Sequence, residues 1–503
     1  MSKEYIIGDF ANRRDLPPMT WNPDSKEATN QHALIVGKSG SGKTTLLKDL
    51  VLYLNSNNKH IYVFDIKGDL VFKDDNDEVI GNYIKFTAWD SQYGVNMYEF
   101  DLGVKTEELK KIIEHNEEPT EEQLFAIRNA GPKVQIKRII ELYKKNFFSA
   151  LGAVQQNMLN NLFRDTYIYK GFDLKDYSTW LKPLPTLEDT IKIIETVKVC
   201  LSSKGSKLDN YSSIFIKNAK HFIIELKQLE STLKTEKSDD SIEPEREEEL
   251  NILINEKNSK LRELFNEYIS EGKELFIADE VHMENNPYKW LQEHNINLED
   301  YDFKNSLTTL EQLHSYLKNL LDAEVFNDNV PPVKPGLNVI NISGLDKDIQ
   351  RFFVDIWLGK VFRACKLRGD YKTLKDRKRG DKVDTYAVLD ETETIAGDEK
   401  EKKDPFSYLN IIAKESRSIG FGLLVAAQSP KHFPHEFLRN FHLQVILEMN
   451  NSGNELDVAA KSFGVDLQLV NYTMQGFGNA LVKRGAVYEK IKANACKKVE
   501  HLK

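Results

Sequence analysis

Short, continuous apolar runs recur along the chain at residues 33–36, 60–65, 337–342, 386–389 and 422–426. β-Branched and aromatic residues crowd these runs, and turn signals such as Lys67-Gly68-Asp69 close them, so they predict buried strands. Between them the sequence keeps a helical period. Strands that are apolar throughout and spaced by helices predict an α/β fold, a mostly parallel sheet with helices on both faces. Residues 479–489 read as a hairpin that closes the edge of this domain.

Between residues 104 and 330 the pattern turns to polar helical sequence with few strand signals, which predicts a large helical insertion. The expected organisation is an N-terminal arm or reduced β-hairpin or barrel over 1–29, a core over 30–103 and 331–490, a helical insertion over 104–330, and a tail over 491–503. Inside the insertion, residues 226–264 mix both charge signs with leucines at helical spacing, broken at Ser238-Asp239-Asp240-Ser241. That run fits an exposed helical hairpin, a short coiled coil or plain solvated helices.

At 503 residues the chain exceeds one compact core. No apolar run approaches the roughly 20 residues needed to cross a bilayer, and Met1-Ser2-Lys3-Glu4-Tyr5 is no signal peptide, so a soluble, cytoplasmic protein without membrane association is expected. Cys200, Cys365 and Cys496 lie far apart without metal-binding spacing, which argues for a reduced compartment and against a zinc site. The net charge of −9 argues against a protein coated in nucleic acid. Residues 366–382 are nevertheless strongly basic, which suits either a DNA contact or a solvated linker.

The chemistry lies after the first strand. Gly37-Lys38-Ser39-Gly40-Ser41-Gly42-Lys43-Thr44, followed by Thr45 and the helix-forming residues 46–52, is a Walker A phosphate loop in a strand-loop-helix setting. Its glycines let successive backbone N–H groups converge on a triphosphate, and the following helix aims its positive end at the same anion. ATP is the implied ligand, with Lys43 on the β- and γ-phosphates and the Thr44 hydroxyl on Mg²⁺.

A phosphate loop needs an acidic partner at a neighbouring strand end, one carboxylate for the metal and one for the attacking water. Two segments offer one. Residues 276–282, with Asp279-Glu280, mimic the DExH box of a superfamily 2 helicase, whereas Asp390-Glu391 ends the apolar run 386–389. Asp279 sits in charged helical sequence, and no QxxGRxxR-like motif follows it. Asp390-Glu391 is followed by helical sequence and then the strand that ends before Gln428. The expectation is therefore Asp390 as metal support and Glu391 as the base that activates water.

Several segments resemble the HerA/FtsK ATPases. Asp65-Ile66-Lys67-Gly68-Asp69 is similar to their DPKGD-type motif, and residues 338–345 to their strand ending in Ser-Gly-Leu. Residues 415–422 through Ala427-Gln428-Ser429-Pro430 resemble the Arg-x-x-G…TQ segment, and Gly478-Asn479-Ala480-Leu481 the closing GxAL strand. The resemblance covers residues 30–100 and 330–490 in the right order. It implies a RecA-like core, a hexameric ring that pumps double-stranded DNA, Arg417 reaching a neighbour's γ-phosphate, and Gln428 as a polar sensor. Asp65 would join the nucleotide site, although a strand-end carboxylate also serves simply to cap the next turn.

The chain departs from the family in the short segment before the phosphate loop and in lacking the membrane segments common in FtsK and the conjugative coupling ATPases. It is most similar to a HerA-like ATPase with a reduced barrel, a kind partnered with a nuclease or other effector in DNA processing or anti-phage defence. A different reading of the same residues is a nucleotide-dependent ring scaffold that assembles an effector without pumping.

Overall fold

The computed structural model describes residues 4–13, 15–25, 28, 30–147, 151–238, 243–281, 287–303, 305–367, 384–396, 407–416, 418–450, 454–484 and 487–496. The chain divides into two compact units: Met1–Asp189 with Ser315–Lys503, and Thr190–His314. Residues 104–330 are thus shared between the two.

The first unit is built on one sheet. Its strands are β1 (Tyr5–Phe10), β2 (Met19–Trp21), β3 (Ala33–Val36), β4 (His60–Asp65), β5 (Asn82–Thr87), β6 (Leu337–Gly344), β7 (Thr385–Leu389), β8 (Phe421–Ala427), β9 (Leu443–Ile446), β10 (Asn479–Arg484) and β11 (Val487–Ala493). Their order is β2-β1-β11-β10-β9-β3-β8-β7-β4-β6-β5. From β9 to β5 every pairing is parallel, while β10, β11, β1 and β2 extend the sheet antiparallel. The fold is the α/β class expected.

Helices cover both faces, and successive residues of one strand show why. Ile61 and Val63 of β4 pack with Leu46, Leu47, Leu50, Val51 and Leu54 of the helix Lys43–Ser56, whose apolar positions recur every three or four residues. Tyr62 and Phe64 point the other way, onto Trp357 of the helix Lys347–Leu367 at ring distances of 6.3 and 6.2 Å. Phe86 of β5 joins them, 4.8 Å from Phe353.

That second face is pinned by a buried ion pair. Lys145, in the helix Pro132–Phe147, meets Asp355 of the helix Lys347–Leu367 at 2.8 Å, the side chains being 4% and 1% exposed. Lys145 also donates to the Ser407 hydroxyl at 3.4 Å, and the second oxygen of Asp355 accepts from the Tyr408 N–H at 3.3 Å. One ion pair therefore ties three segments together.

The N-terminal arm forms the hairpin β1–β2 and joins the sheet through β11. Tyr5 Oη donates to Asp49 on the helix Lys43–Ser56 at 2.7 Å, so the arm braces the helix that follows the phosphate loop. Two strands of the parallel run lie outside the apolar pattern. In β5, exposed and buried residues alternate at the sheet edge, and β9 carries Gln444, buried because its amide donates to the carbonyls of Leu438 and Phe441 at 2.7 and 3.1 Å.

In the second unit the helices Leu187–Ser238 and Pro244–Val281 run antiparallel. Lys257 pairs with Glu225 far from the turn, whereas Arg246 with Glu236 and Lys237 with Glu247 pair near it, so numbers that rise along one helix meet numbers that fall along the other from end to end. This is the helical hairpin among the three forms the charge-dense run allowed. Among the described residues no helix is long and apolar enough to cross a membrane.

Candidate nucleotide site

The phosphate loop occupies the bend between β3 and the helix Lys43–Ser56. Gly40 and Gly42 have φ of 76° and 98°, backbone that a Cβ disfavours, and Gly42 also lies against Cys496 Sγ. Gly37 donates to the Ala427 carbonyl at 3.1 Å and Lys38 to that of Glu448 at 2.7 Å, which anchors the loop between β8 and β9. Ser39 and Gly40 are exposed, Thr44 and Thr45 are half-buried, and the Ser41 hydroxyl is buried without a partner among the described residues.

Lys43 is buried and donates to the Lys38 carbonyl at 3.0 Å across the loop. Burial pushes its ammonium below the usual lysine range, opposed by the nearby carboxylates of Asp390, Glu393 and Glu391. A buried cation facing acids at a glycine-rich helix start is built to meet an anion.

The acids come from β7, which lies two places from β3, with β8 between. Asp390 Oδ2 accepts from Thr44 Oγ1 at 2.9 Å, and its other oxygen from the Glu391 N–H at 2.9 Å. Burial raises the Asp390 carboxyl above its ordinary range, countered by the Thr44 and Glu391 donors and the charge of Lys43. Glu391 has φ 52°, left-handed backbone on a residue other than glycine, and its carboxylate pairs with Lys67 Nζ. Burial also raises the Glu393 carboxyl, whose oxygens both accept from the Gln428 N–H at 3.3 Å.

Asp65 accepts from the N–H groups of Gly68 and Leu70 at 2.7 and 3.0 Å, a strand-end carboxylate capping the next turn. Asp279 and Glu280 fall within the helix Pro244–Val281 and end no strand. Arg417 and residues 368–383 lie outside the described residues. The sequence reading missed Glu393 and Lys67. A signal for both was present: Asp390-Glu391-Thr392-Glu393 holds a third carboxylate, and Lys67 stands in the motif turn after β4.

The groups fit Mg²⁺ and a nucleotide phosphate. Thr44 Oγ1 and Asp390 Oδ2 are adjacent hard oxygen donors of the kind Mg²⁺ prefers, and the left-handed glycines and unpartnered Ser41 hydroxyl line a polar cradle.

A phosphate loop on one strand, an Asp-Glu pair two strands away and a polar residue after the strand between are the arrangement of a P-loop nucleotide site. Residues 20–85 match the family model of the type IV secretion-system coupling protein DNA-binding domain. The DNA double-strand break repair helicase HerA of Sulfurisphaera tokodaii is 29% identical over 123 residues, covering 24% of each chain, so the match spans about a quarter of that relative's length. The structure of VirB4 of Thermoanaerobacter pseudethanolicus matches the fold with a TM-score of 0.55 at 12% identity, covering 98% of this chain and 97% of that one. These likenesses agree with the resemblance to the HerA/FtsK ATPases that the motifs carry.

Proposed function

We propose that this chain hydrolyses ATP with Mg²⁺ and uses the energy to move double-stranded DNA through a homo-oligomeric ring, a hexamer. The observation that carries the hydrolysis is the Thr44–Asp390 hydrogen bond, which brings the phosphate loop against a strand end that bears a second carboxylate, Glu391. The relatives support the DNA reading. One is named for DNA double-strand break repair, and the matched family model for DNA binding.

In this reading the loop from Gly37 to Thr45 cradles the phosphates through its N–H groups, and Lys43 turns from the Lys38 carbonyl to the β- and γ-phosphates. Thr44 and Asp390 hold Mg²⁺, which when bound neutralises phosphate charge as a Lewis acid. Glu391 takes the proton of the attacking water, and Gln428, at the end of β8, senses the phosphate. Arg417 reaches the γ-phosphate of a neighbouring subunit, where its planar, always-charged fork suits the spread charge of the transition state. A nuclease or other effector works with the ring in DNA processing or anti-phage defence, in the cytoplasm.

The test is Glu391→Gln, whose amide keeps the shape but cannot accept the proton. Hydrolysis should fall on the order of a hundredfold or more while nucleotide binding persists. Turnover at the wild-type rate would remove Glu391 from the chemistry. Hydrolysis that responds to Glu391→Gln but never to duplex DNA, with the partner present, would favour the ring scaffold.

A further inference from the structure

We propose that Lys67 is a positioning residue that holds the Glu391 carboxylate away from the water it would activate, a latch released when the phosphate loop is loaded. The proposal deepens the reading of Glu391 as the base and rests on it. A general base needs a lone pair free for water, yet the Glu391 carboxylate is paired with the Lys67 ammonium.

The two ends of this pair differ mechanically. Lys67 stands on a braced turn: Asp65 accepts from Gly68 and Leu70, and Gly68, at φ 81°, packs so closely on Ser343 that a Cβ would lie 2.6 Å from its hydroxyl oxygen. Glu391 carries the strain instead. Its φ of 52° is sparsely allowed for a side chain other than glycine, and it falls immediately before the helix Thr392–Ala396, whose Thr394 N–H donates back to the Glu391 carbonyl at 2.9 Å.

Strain persists only where its surroundings hold it, and it clusters at active sites and switch regions. Here the contacts on Glu391 are the Lys67 pair on its side chain, the Asp390 carboxylate on its N–H and the Thr394 N–H on its carbonyl. Asp390 is the residue that Thr44 of the phosphate loop already touches, so loading the loop bears directly on Glu391.

The experiment uses the full chain and reads the pair directly. The Lys67 side chain is 55% exposed, so an amine-acetylating reagent reaches it, and its modification is followed by mass spectrometry. Modification should be slow in the wild type, faster by about threefold or more in Glu391→Gln, and faster in the wild type with Mg²⁺ and a non-hydrolysable ATP analogue. In parallel, Lys67→Met should raise kcat without DNA by about threefold or more and leave the nucleotide Kd unchanged. Equal labelling in all three states, or a kcat that is unchanged or lower in Lys67→Met, overturns the latch. If wild type and Glu391→Gln hydrolyse ATP equally, the base assignment itself has failed. A latch failure appears instead as normal sensitivity to Glu391→Gln without a response to Lys67→Met.

Discussion

Thr44 Oγ1 donates to Asp390 Oδ2 at 2.9 Å, joining the first turn of the helix after the phosphate loop to the end of β7, with β8 lying between the two strands. Glu393 accepts from the Gln428 N–H and ties the end of β8 to the same acidic segment. The ends of β3, β8 and β7 are thus linked through side chains. A change at the phosphate loop has a short, polar route to Glu391 and to Gln428.

Thr44→Ala should expose the weight of that link. Losing a hydrogen bond to a charged group costs about 1.5–3 kcal/mol, and Asp390 is buried, so its carboxylate is left short of a donor. The Mg²⁺ concentration for half-maximal hydrolysis should rise about tenfold or more, and Thr44→Ser should restore it. A magnesium titration in which alanine and serine behave alike would separate Thr44 from the metal.

The Lys145–Asp355 pair should be a stability element of the covered face. Removing one partner strands the other charge in the interior, so Asp355→Ala is expected to destabilise by about 3–5 kcal/mol in urea unfolding. Replacing both, as in Lys145→Met with Asp355→Leu, removes the stranded charge and should recover much of the loss. A double variant as weak as the single one would show that the hydrogen bonds to Ser407 and Tyr408 matter more than the charge pairing.

The parallel sheet and the phosphate loop were legible because both rest on local rules. Short apolar runs rich in β-branched residues and closed by turn signals favour buried strands, and glycines that reach left-handed backbone before a helix favour so tight a loop. The β5 and β9 strands were hidden for a physical reason. One is half-exposed at the sheet edge, and the other interrupts its apolar run with Gln444, a polar residue buried only because the nearby Leu438 and Phe441 carbonyls accept from its amide. Glu393 and Lys67 were missed because their meaning is set by partners far along the chain, Gln428 and Glu391, which only the strand order brings near.

His32 gives a pH signature. Its ring is fully buried; Nδ1 accepts from the Leu423 N–H at 3.0 Å, and burial lowers its pKa to about 3. The unfolded chain binds a proton near pH 6.5 that the folded chain refuses, so the unfolded state holds more protons between those values and stability falls as pH falls. The contribution is fully present above about pH 6.5 and is lost by up to about 1.4 kcal/mol per pH unit below it. Between pH 7 and 5, the stability of His32→Gln should change less than that of the wild type. Parallel pH profiles would assign the loss to other groups.

The last prediction concerns DNA and the basic residues 366–382, most of which lie outside the described residues, so its basis is charge alone. If this segment contacts the duplex, each neutralised phosphate releases counterions, and affinity falls with salt by roughly 0.9 log units per tenfold salt for each contact. Replacing Lys375, Arg377, Lys378 and Arg379 together by glutamine removes up to four such contacts without touching the phosphate loop. The salt slope should then flatten by up to about 3.6, and stimulation of hydrolysis by duplex should fall, while basal hydrolysis persists. An unchanged slope with intact stimulation would make the segment a linker and move the DNA contact to other lysines of the chain. A flattened slope with undiminished stimulation would instead show that these charges gather DNA but do not couple it to turnover.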